Sequence, residues 1–365
     1  MMKVKKTDIA VVGCGALGAG IAYNIAKLGR KPLVFEAKYF GYGSTGRDIG
    51  VVRGRHRDPD VAKLASEGLK LHEKLPDELG SNTLFRQDGV LTVALTSEEA
   101  EALEKEFKSY ASGSFIELSR DEVRSRYPYL RVDDVKLCYL SSREGLVHPL
   151  AVLWGYLDAV RRLGGEVVKP AEVISIEPKG DKLNIKTALG EYEASKVVVA
   201  AGFRSRELLS KLGIDIPLEP LAKEALVTEP MKPFLDPVIE RPGTGLVVAQ
   251  TMRGEVIGTV GSLGKTSDLT LSSYRFLRDF ARQATQLIPA VRSLKVLRQW
   301  TWVVDTTPDG KPVIGETSVN RVYVACGMHD YGLSLVPVVS KLIGRLVVEG
   351  VEDPMLKPFS PSRFG

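Results

Sequence analysis

Residues 8–36 read DIAVVGCGALGAGIAYNIAKLGRKPLVFE. The apolar run Asp8–Val12 predicts a short strand. Gly13-Cys14-Gly15-Ala16-Leu17-Gly18 follows, then a helix-forming stretch to Leu28, a second apolar run to Phe35, and the acid Glu36. This is strand–turn–helix–strand with G-x-G-x-x-G at the first turn. Gly13 permits the tight turn, Gly15 lets backbone approach a pyrophosphate, and Gly18 lets helix pack closely on sheet. Phosphates sit well at such a helix start, where free N–H groups and the helix dipole favour anions. Glu36 follows Gly18 by 18 residues (36 − 18), the spacing at which an acid accepts a hydrogen bond from a ribose 2′-OH. The stretch therefore predicts a dinucleotide site, for FAD or NAD rather than NADP, and leaves that pair unresolved.

Outward from this unit, residues 39–53 carry Gly41, Gly43, Gly46 and Gly50 with Ser44 and Thr45. A loop of this composition can wrap a ligand and donate backbone N–H groups. Arg47, Arg53, Arg55, His56 and Arg57 crowd behind it, and arginine can grip a substrate carboxylate bidentately. An apolar stripe predicts a helix over 59–80, with His72 on its surface. Gln87-Asp88-Gly89 between two apolar runs reads as a hairpin turn. A helix is expected over 97–110, and Ser119 with Glu122 forms a capping box.

Pro149 opens a helix to Leu163, with His148 in a structural place before it. Short strands follow, ending in the fully apolar Val197–Ala201 and Gly202, the pattern of a central parallel strand. Residues 258–266, GTVGSLGKT, only imitate a phosphate-binding P-loop, because Thr259 stands where glycine is needed. Trp300 and Trp302 alternate in a strand, one toward a core and one toward a pocket. Pro308-Asp309-Gly310 makes a tight turn. A last strand, the Gly327–Ser334 turn and a helix from Pro337 complete a second strand–turn–helix unit.

The 365 residues allow one large or two modest domains. Apolar residues at 44% and charged at 26% place the chain among soluble globular proteins. A net charge of +5 is scattered rather than blocked, which argues against nucleic acid as a partner. Three cysteines without a CxxC pair give neither a disulfide framework nor a metal site. The first residues, MMKVKKTD, show no signal peptide, and runs such as Val197–Ala201 are too short to span a bilayer. The expected compartment is the cytoplasm. Scarce Asn and Gln beside abundant Lys, Arg and Glu suggest a thermophilic source.

Together GCGALG with Glu36, GSTGRDIGVVR (43–53), GLVHPLAVLWGYLDAVRRLGGEV (145–167), VVVAAGFRSRELL (197–209), DTTPDGKPVIG (305–315) and VYVACGMHDYGLSLVP (322–337) resemble the FAD-dependent D-amino-acid oxidase superfamily. Within it, VDTTPDG and CGMHDYG bring the chain nearest to sarcosine oxidase β subunits and dye-linked L-proline dehydrogenases. Where glycine-oxidase relatives carry an arginine, Val304 stands here.

The resemblance implies an α/β (α+β overall) fold. A Rossmann-like FAD-binding domain would take 1–80, 145–216 and 296–365, and a mostly antiparallel substrate domain 81–144 and 217–295. It implies that Gly13, Gly15, Ala16, Leu17 and Gly18 hold the pyrophosphate, and Glu36 with Ala37 the ribose. Ser44, Thr45, Gly46 and Arg47 would line pyrophosphate and flavin. Gly50, Val51 and Val52 would pass the isoalloxazine, Val173 the adenine end, and Ala201 and Gly202 the flavin side. Gly327, Met328, His329, Tyr331, Gly332 and Leu333 would border the flavin pyrimidine edge.

The superfamily's covalent flavin-binding cysteine is matched by Trp302, which implies non-covalent FAD, and its carboxylate-binding lysine by Ser334. Arg53 matches the carboxylate-binding arginine, with His56, His329 and Tyr331 the other candidate catalytic residues. The implied reaction is oxidation of a C–N bond in a small amino acid or secondary amine of proline, sarcosine or glycine type. A 2-hydroxy-acid or glycerol-phosphate dehydrogenase, or a flavin subunit of a hetero-oligomer, are the alternatives. The electron acceptor would be oxygen, a dye or quinone, or a partner subunit. Homo- or hetero-oligomers and peripheral membrane association both occur among the implied arrangements.

Overall fold

The computed structural model describes residues 4–110 and 115–365. Residues 1–3, part of the stretch read for a leader, and 111–114, within the 81–144 segment, lie outside that description. The chain begins β1 (Lys5–Val12), α1 (Ala16–Lys27), β2 (Leu33–Phe35), β3 (Val51–Val52), α2 (Pro59–Leu79), β4 (Val90–Ala94), α3 (Ser97–Lys108), β5 (Ile116–Glu117) and α4 (Arg120–Arg126). It continues β6 (Leu137–Ser141), β7 (Gly145–Leu146), α5 (Pro149–Arg162), β8 (Glu166–Val168), β9 (Val173–Lys179), β10 (Lys182–Thr187), β11 (Gly190–Val199) and α6 (Ser205–Ser210). The last part is β12 (Glu219–Pro230), β13 (Val238–Arg241), β14 (Leu246–Gln250), β15 (Glu255–Thr259), β16 (Gly264–Lys265), α7 (Tyr274–Leu287), β17 (Val296–Thr306), β18 (Val313–Glu316), β19 (Val322–Cys326) and α8 (Gly332–Glu349).

The first sheet runs β18-β19-β11-β1-β2-β8, with β9 and β10 attached beside β11. Its centre is parallel: β1 pairs with both β2 and β11, and β11 with β19. Helices α1, α5, α2 and α8 cover one face, where Ile21, Ile25, Leu64, Leu153 and Ile343 are among the fully buried side chains. A central parallel strand buried on both faces has to be apolar throughout, and Val197, Val198 and Val199 meet that demand. The second sheet runs β16-β12-β15-β14-β13-β4-β6-β5, with β17 on β12, and is antiparallel apart from the β4–β13 pair. Its own core includes Leu91, Leu226, Ile239, Val248 and Phe280.

Several expectations change at this level. The hairpin at Gly89 does not form. Gly89 does turn, with φ +91°, but Arg86 exchanges backbone hydrogen bonds with Leu146 instead, and β4 pairs with β6 and β13. β17, placed by sequence in the nucleotide-binding part, pairs with β12 along nearly its whole length in the second sheet. The last of the short strands expected before Gly202 is longer than its apolar end, since β11 runs without a break from Gly190 to Val199. The capping box at Ser119 is present, and His148 accepts from Ala151 N at the start of α5. Residues 258–266 hold the end of β15, a short loop and β16, with no helix after the loop as a P-loop requires.

Helix α8 begins at Gly332, five residues before Pro337, and carries that proline inside it. By length and composition it could cross a membrane, but 72% of its apolar window is buried inside the protein, so it serves as a core helix packed on α1 and α2.

His72, expected on the surface, is fully buried. Burial holds its imidazole down at about 4, against a smaller opposing pull from the Leu333 carbonyl. An unfolded histidine takes its proton near pH 6.5. As pH falls from 6.5 to 4 the unfolded chain therefore binds more protons at this residue, and folding stability drops. The gap in urea midpoint between wild type and His72→Phe is expected to narrow from pH 7 to pH 4.5. A gap that stays constant over that range would show that His72 does not titrate as a buried neutral group.

Candidate functional site

One elongated cavity runs between the two sheets' connecting segments. Its walls come from the β1–α1 turn, the end of β2, the 41–48 loop, the end of β11, β17 and the start of α8. Gly13, Gly15, Ala16, Leu17, Glu36, Ala37, Ser44, Thr45, Val173, Ala201, Gly202, Met328, His329, Gly332 and Leu333 line it. Gly18, Gly46, Arg47, Gly50, Val51, Val52, Arg53, His56, Gly327 and Tyr331 stand outside its lining. A Cβ on Gly18 would meet Gly13 O at 2.0 Å, and one on Gly46 would meet Gly41 O at 2.1 Å. Val51 and Val52 pair with Leu146 and Gly145. Arg47 Nε donates to Tyr42 O. Gly327 N donates to Asp305 at 2.6 Å.

The lining fits FAD on two grounds. First, α1 and α8 both start at the cavity, their N-cap residues Gly15 and Tyr331 make no side-chain cap, and neither helix has an acid in its first turn. The first four N–H groups of a helix lack partners within it, so both ends suit an anionic group. Second, Glu36 stands at the end of β2, on the side of β1 away from β19 and the α8 start. It accepts from Cys14 N at 3.2 Å and Lys38 N at 2.9 Å, which fixes the carboxylate against the cavity wall. Lys38, Arg204 and Lys211 add cations along the same lining. Thr45 Oγ1 accepts from Ala16 N at 3.0 Å, tying the 41–48 loop to the start of α1.

Two carboxylates in the lining were missed by sequence reasoning. Burial pushes Asp48 up to about 6 despite the hydrogen bond from Gly50 N, and Asp330 adds to the effect. Burial likewise pushes Asp305 up to about 6, against the N–H groups of Gly327 and Met328. The signal was available: each is an acid inside an otherwise apolar or glycine-rich run.

Beside the start of α8 the arginine cluster resolves into a buried network. Arg53 Nε lies 2.7 Å from Glu240 Oε1 and Arg55 Nη2 lies 2.8 Å from Glu240 Oε2. Arg55 also pairs with Glu144, which accepts from Gly54 N at 2.8 Å. Burial disfavours the Arg53 charge, but Glu240, Tyr331 and Asp330 outweigh it and hold the guanidinium above its ordinary value. Glu240 is lowered because Arg53 and Arg55 outweigh its burial. Arg53 N donates to Ser334 Oγ at 2.9 Å, so the network is anchored to the first turn of α8. Glu240 and Glu144 were also missed, although Glu240 is a lone acid in the apolar strand β13.

The other candidates flank this point. The His56 ring meets the Tyr331 ring edge-on at 4.8 Å between centroids, and His56 Nδ1 accepts from Asp58 N. His329 has φ +50°. Its Nε2 accepts from Thr307 N at 3.1 Å, which binds the turn before α8 to the Thr306–Gly310 segment. Burial lowers the pKa of both histidines, in keeping with their acceptor roles. Trp302 is buried against the second sheet, and half-buried Trp300 donates from Nε1 to Arg47 O at 2.7 Å. Neither lines the cavity.

The sequence matches the family described as FAD dependent oxidoreductase, DAO, over residues 8–346. It is 26% identical to sarcosine oxidase subunit beta of Rhodobacter capsulatus, over 99% of this chain and 89% of that protein. It is 27% identical to glycine oxidase of Bacillus subtilis, over 93% of each. Among solved structures, L-proline dehydrogenase from P. horikoshii superposes with a TM-score of 0.92 at 27% identity, over 99% of this chain and 98% of that one. A dinucleotide cavity walled by two helix starts and a match over residues 8–346 lead to one conclusion: the chain belongs to the DAO family of FAD-dependent oxidoreductases.

Proposed function

We propose that this oxidoreductase oxidises the C–N bond of a small amino acid or secondary amine, of proline, sarcosine or glycine type. The observation that carries the reading is the buried Arg53–Glu240 pair beside the α8 start. Arg53, Arg55, Glu144 and Glu240 sum to zero charge, with both signs side by side. A zwitterionic amino acid matches that pattern, whereas a 2-hydroxy acid brings an unbalanced negative charge. The names of the relatives, sarcosine and glycine oxidases and a proline dehydrogenase, support the same substrate class.

When bound, non-covalent FAD supplies the two-electron acceptor. The chain's own residues do the rest. Arg53 takes the substrate carboxylate, which fixes the reacting C–H relative to the cavity. Tyr331 and His56 wall the substrate side and exclude water. Neutral His329 holds the turn at the start of α8, whose positive helix end would favour developing negative charge.

The test is anaerobic titration of the purified yellow protein with L-proline, sarcosine, glycine, D-amino acids and 2-hydroxy acids. Bleaching by at least one amino acid or amine is expected, and bleaching by 2-hydroxy acids alone would sink the proposal. Arg53→Gln is expected to cut kcat/KM about 10- to 100-fold, mostly through KM, the worth of a charged hydrogen bond.

A second reading is favoured by the match along 89% of a protein named as a subunit: the chain works with partner subunits that take its electrons. Co-purification of a partner on native expression supports it. Full dye-linked turnover by the isolated chain counts against it.

A further inference from the structure

Helix α8 contains a defect that another helix repairs. In a regular helix the carbonyl of Leu333 would accept from the N–H four residues on. That residue is Pro337, which has no N–H and whose ring crowds the same carbonyl. Leu333 O instead accepts from His72 Nε2 at 2.8 Å, across from α2. The contact fixes the tautomer, with the proton on Nε2 and none on Nδ1. Nδ1 has no partner among the described residues, so the imidazole is not placed there for packing alone. A bare buried nitrogen costs stability that an apolar side chain would not.

The neighbouring contact has the same purpose. Gly68 lies four residues before His72 and so on the same face of α2. A Cβ there would stand 2.1 Å from Ser334 O. The two residues together seat α2 on residues 333–334. Gly332 and Leu333 line the cavity, and Ser334 Oγ receives the backbone N–H of Arg53.

We infer that His72 is a positioning residue for the cofactor site: by supplying the donor that Pro337 lacks, it sets where the first turn of α8 faces the flavin. The inference rests on the reading that FAD occupies the cavity with its isoalloxazine toward α8. His72 touches neither cofactor nor substrate. Its effect passes through the Leu333 carbonyl to the backbone of Gly332 and Leu333, which lines the cavity.

The test uses holoenzyme carrying His72→Phe, His72→Gln, Pro337→Ala, or His72→Phe with Pro337→Ala. The readouts are the FAD dissociation constant and the flavin midpoint potential. Losing one buried hydrogen bond predicts roughly five- to tenfold weaker FAD binding in His72→Phe, with a more negative potential. Glutamine keeps an N–H donor and restores part of both. In the double variant alanine returns the helical donor, so both values rejoin those of Pro337→Ala. Should His72→Phe lower only the melting temperature, with affinity and potential as in wild type, the inference is overturned. The same holds if the double variant keeps the whole His72→Phe defect, a comparison that survives even when the single variant folds poorly. Wild-type protein that takes up no FAD would instead overturn the site reading itself.

Discussion

Gly13→Ala is expected to abolish FAD binding, with at least a 100-fold loss of affinity. Gly13 has φ +99°, and an added Cβ would stand 2.4 Å from Ala200 O and 2.8 Å from Ala200 C. Both are backbone atoms of the neighbouring strand end, so no side-chain rotation relieves the overlap. Ala200 N donates to Val12 O and Gly13 N to Phe35 O, which fixes the turn from both sides. Left-handed backbone adds about 1–2 kcal/mol of strain for any residue with a Cβ. Relief requires β1 and the 200–202 segment to part, and that parting opens the pyrophosphate bed. Gly43→Ala is the control. Gly43 lines the same cavity, but its added Cβ meets no protein atom within 4 Å, so a far smaller loss of affinity is expected there. Titration of apoprotein with FAD, followed by flavin fluorescence, distinguishes the two. A Gly13→Ala protein that binds within threefold of wild type would refute this account of the turn.

The second large effect is expected from Glu240→Leu. Its carboxylate faces both Arg53 and Arg55 at 2.7 and 2.8 Å. Removing one partner of a buried ion pair leaves an uncompensated charge and costs about 3–5 kcal/mol. Arg55 retains Glu144, so the stranded charge is mainly that of Arg53, and substrate affinity should fall along with stability. The Arg57–Glu106 pair, at 2.6 Å with its arginine in solvent, supplies the contrast. Glu106→Gln is expected within about 1 kcal/mol of wild type, since exposed pairs contribute little. Urea unfolding of the holoenzyme measures both. Equal, small losses in the two variants would show that Glu240 is not the centre of the network.

The nucleotide half was legible because its signals are local. Residues 8–36 contain the strand, turn, helix and acid within one crossover, and each glycine has a steric reason to be where it is. Arg53 and the Gly327–Leu333 turn were found through family likeness. Glu240 and Glu144 escaped because their importance arises only when the chain is folded. Glu240 lies 187 residues beyond Arg53, and Glu144 lies 89 beyond Arg55. His72 was misread although its spacing was informative. Leu64, Gly68, His72, Leu75 and Leu79 are all buried on α2, a stripe at helical period that includes the histidine. The start of α8 was placed too late because proline is common in a first turn, and nothing local reveals that a distant imidazole can repair its missing bond. At Gly89 the turn signal was right and the partner wrong, since Leu146 outcompetes the adjacent segment for Arg86.

The order of strands in the first sheet has a consequence for how the protein comes to hold its cofactor. β1 is flanked by β2 and β11, and β11 in turn by β19, so the N-terminal fingerprint waits for segments made far later. Pairing Val12 with Val199, and Val199 with Val324, closes very long loops, which slows folding. During synthesis the fingerprint's sheet partners are therefore complete only once the chain through β19 has been made. A supply of free cofactor at that moment acts as a folding ligand, stabilising the completed form over its precursors.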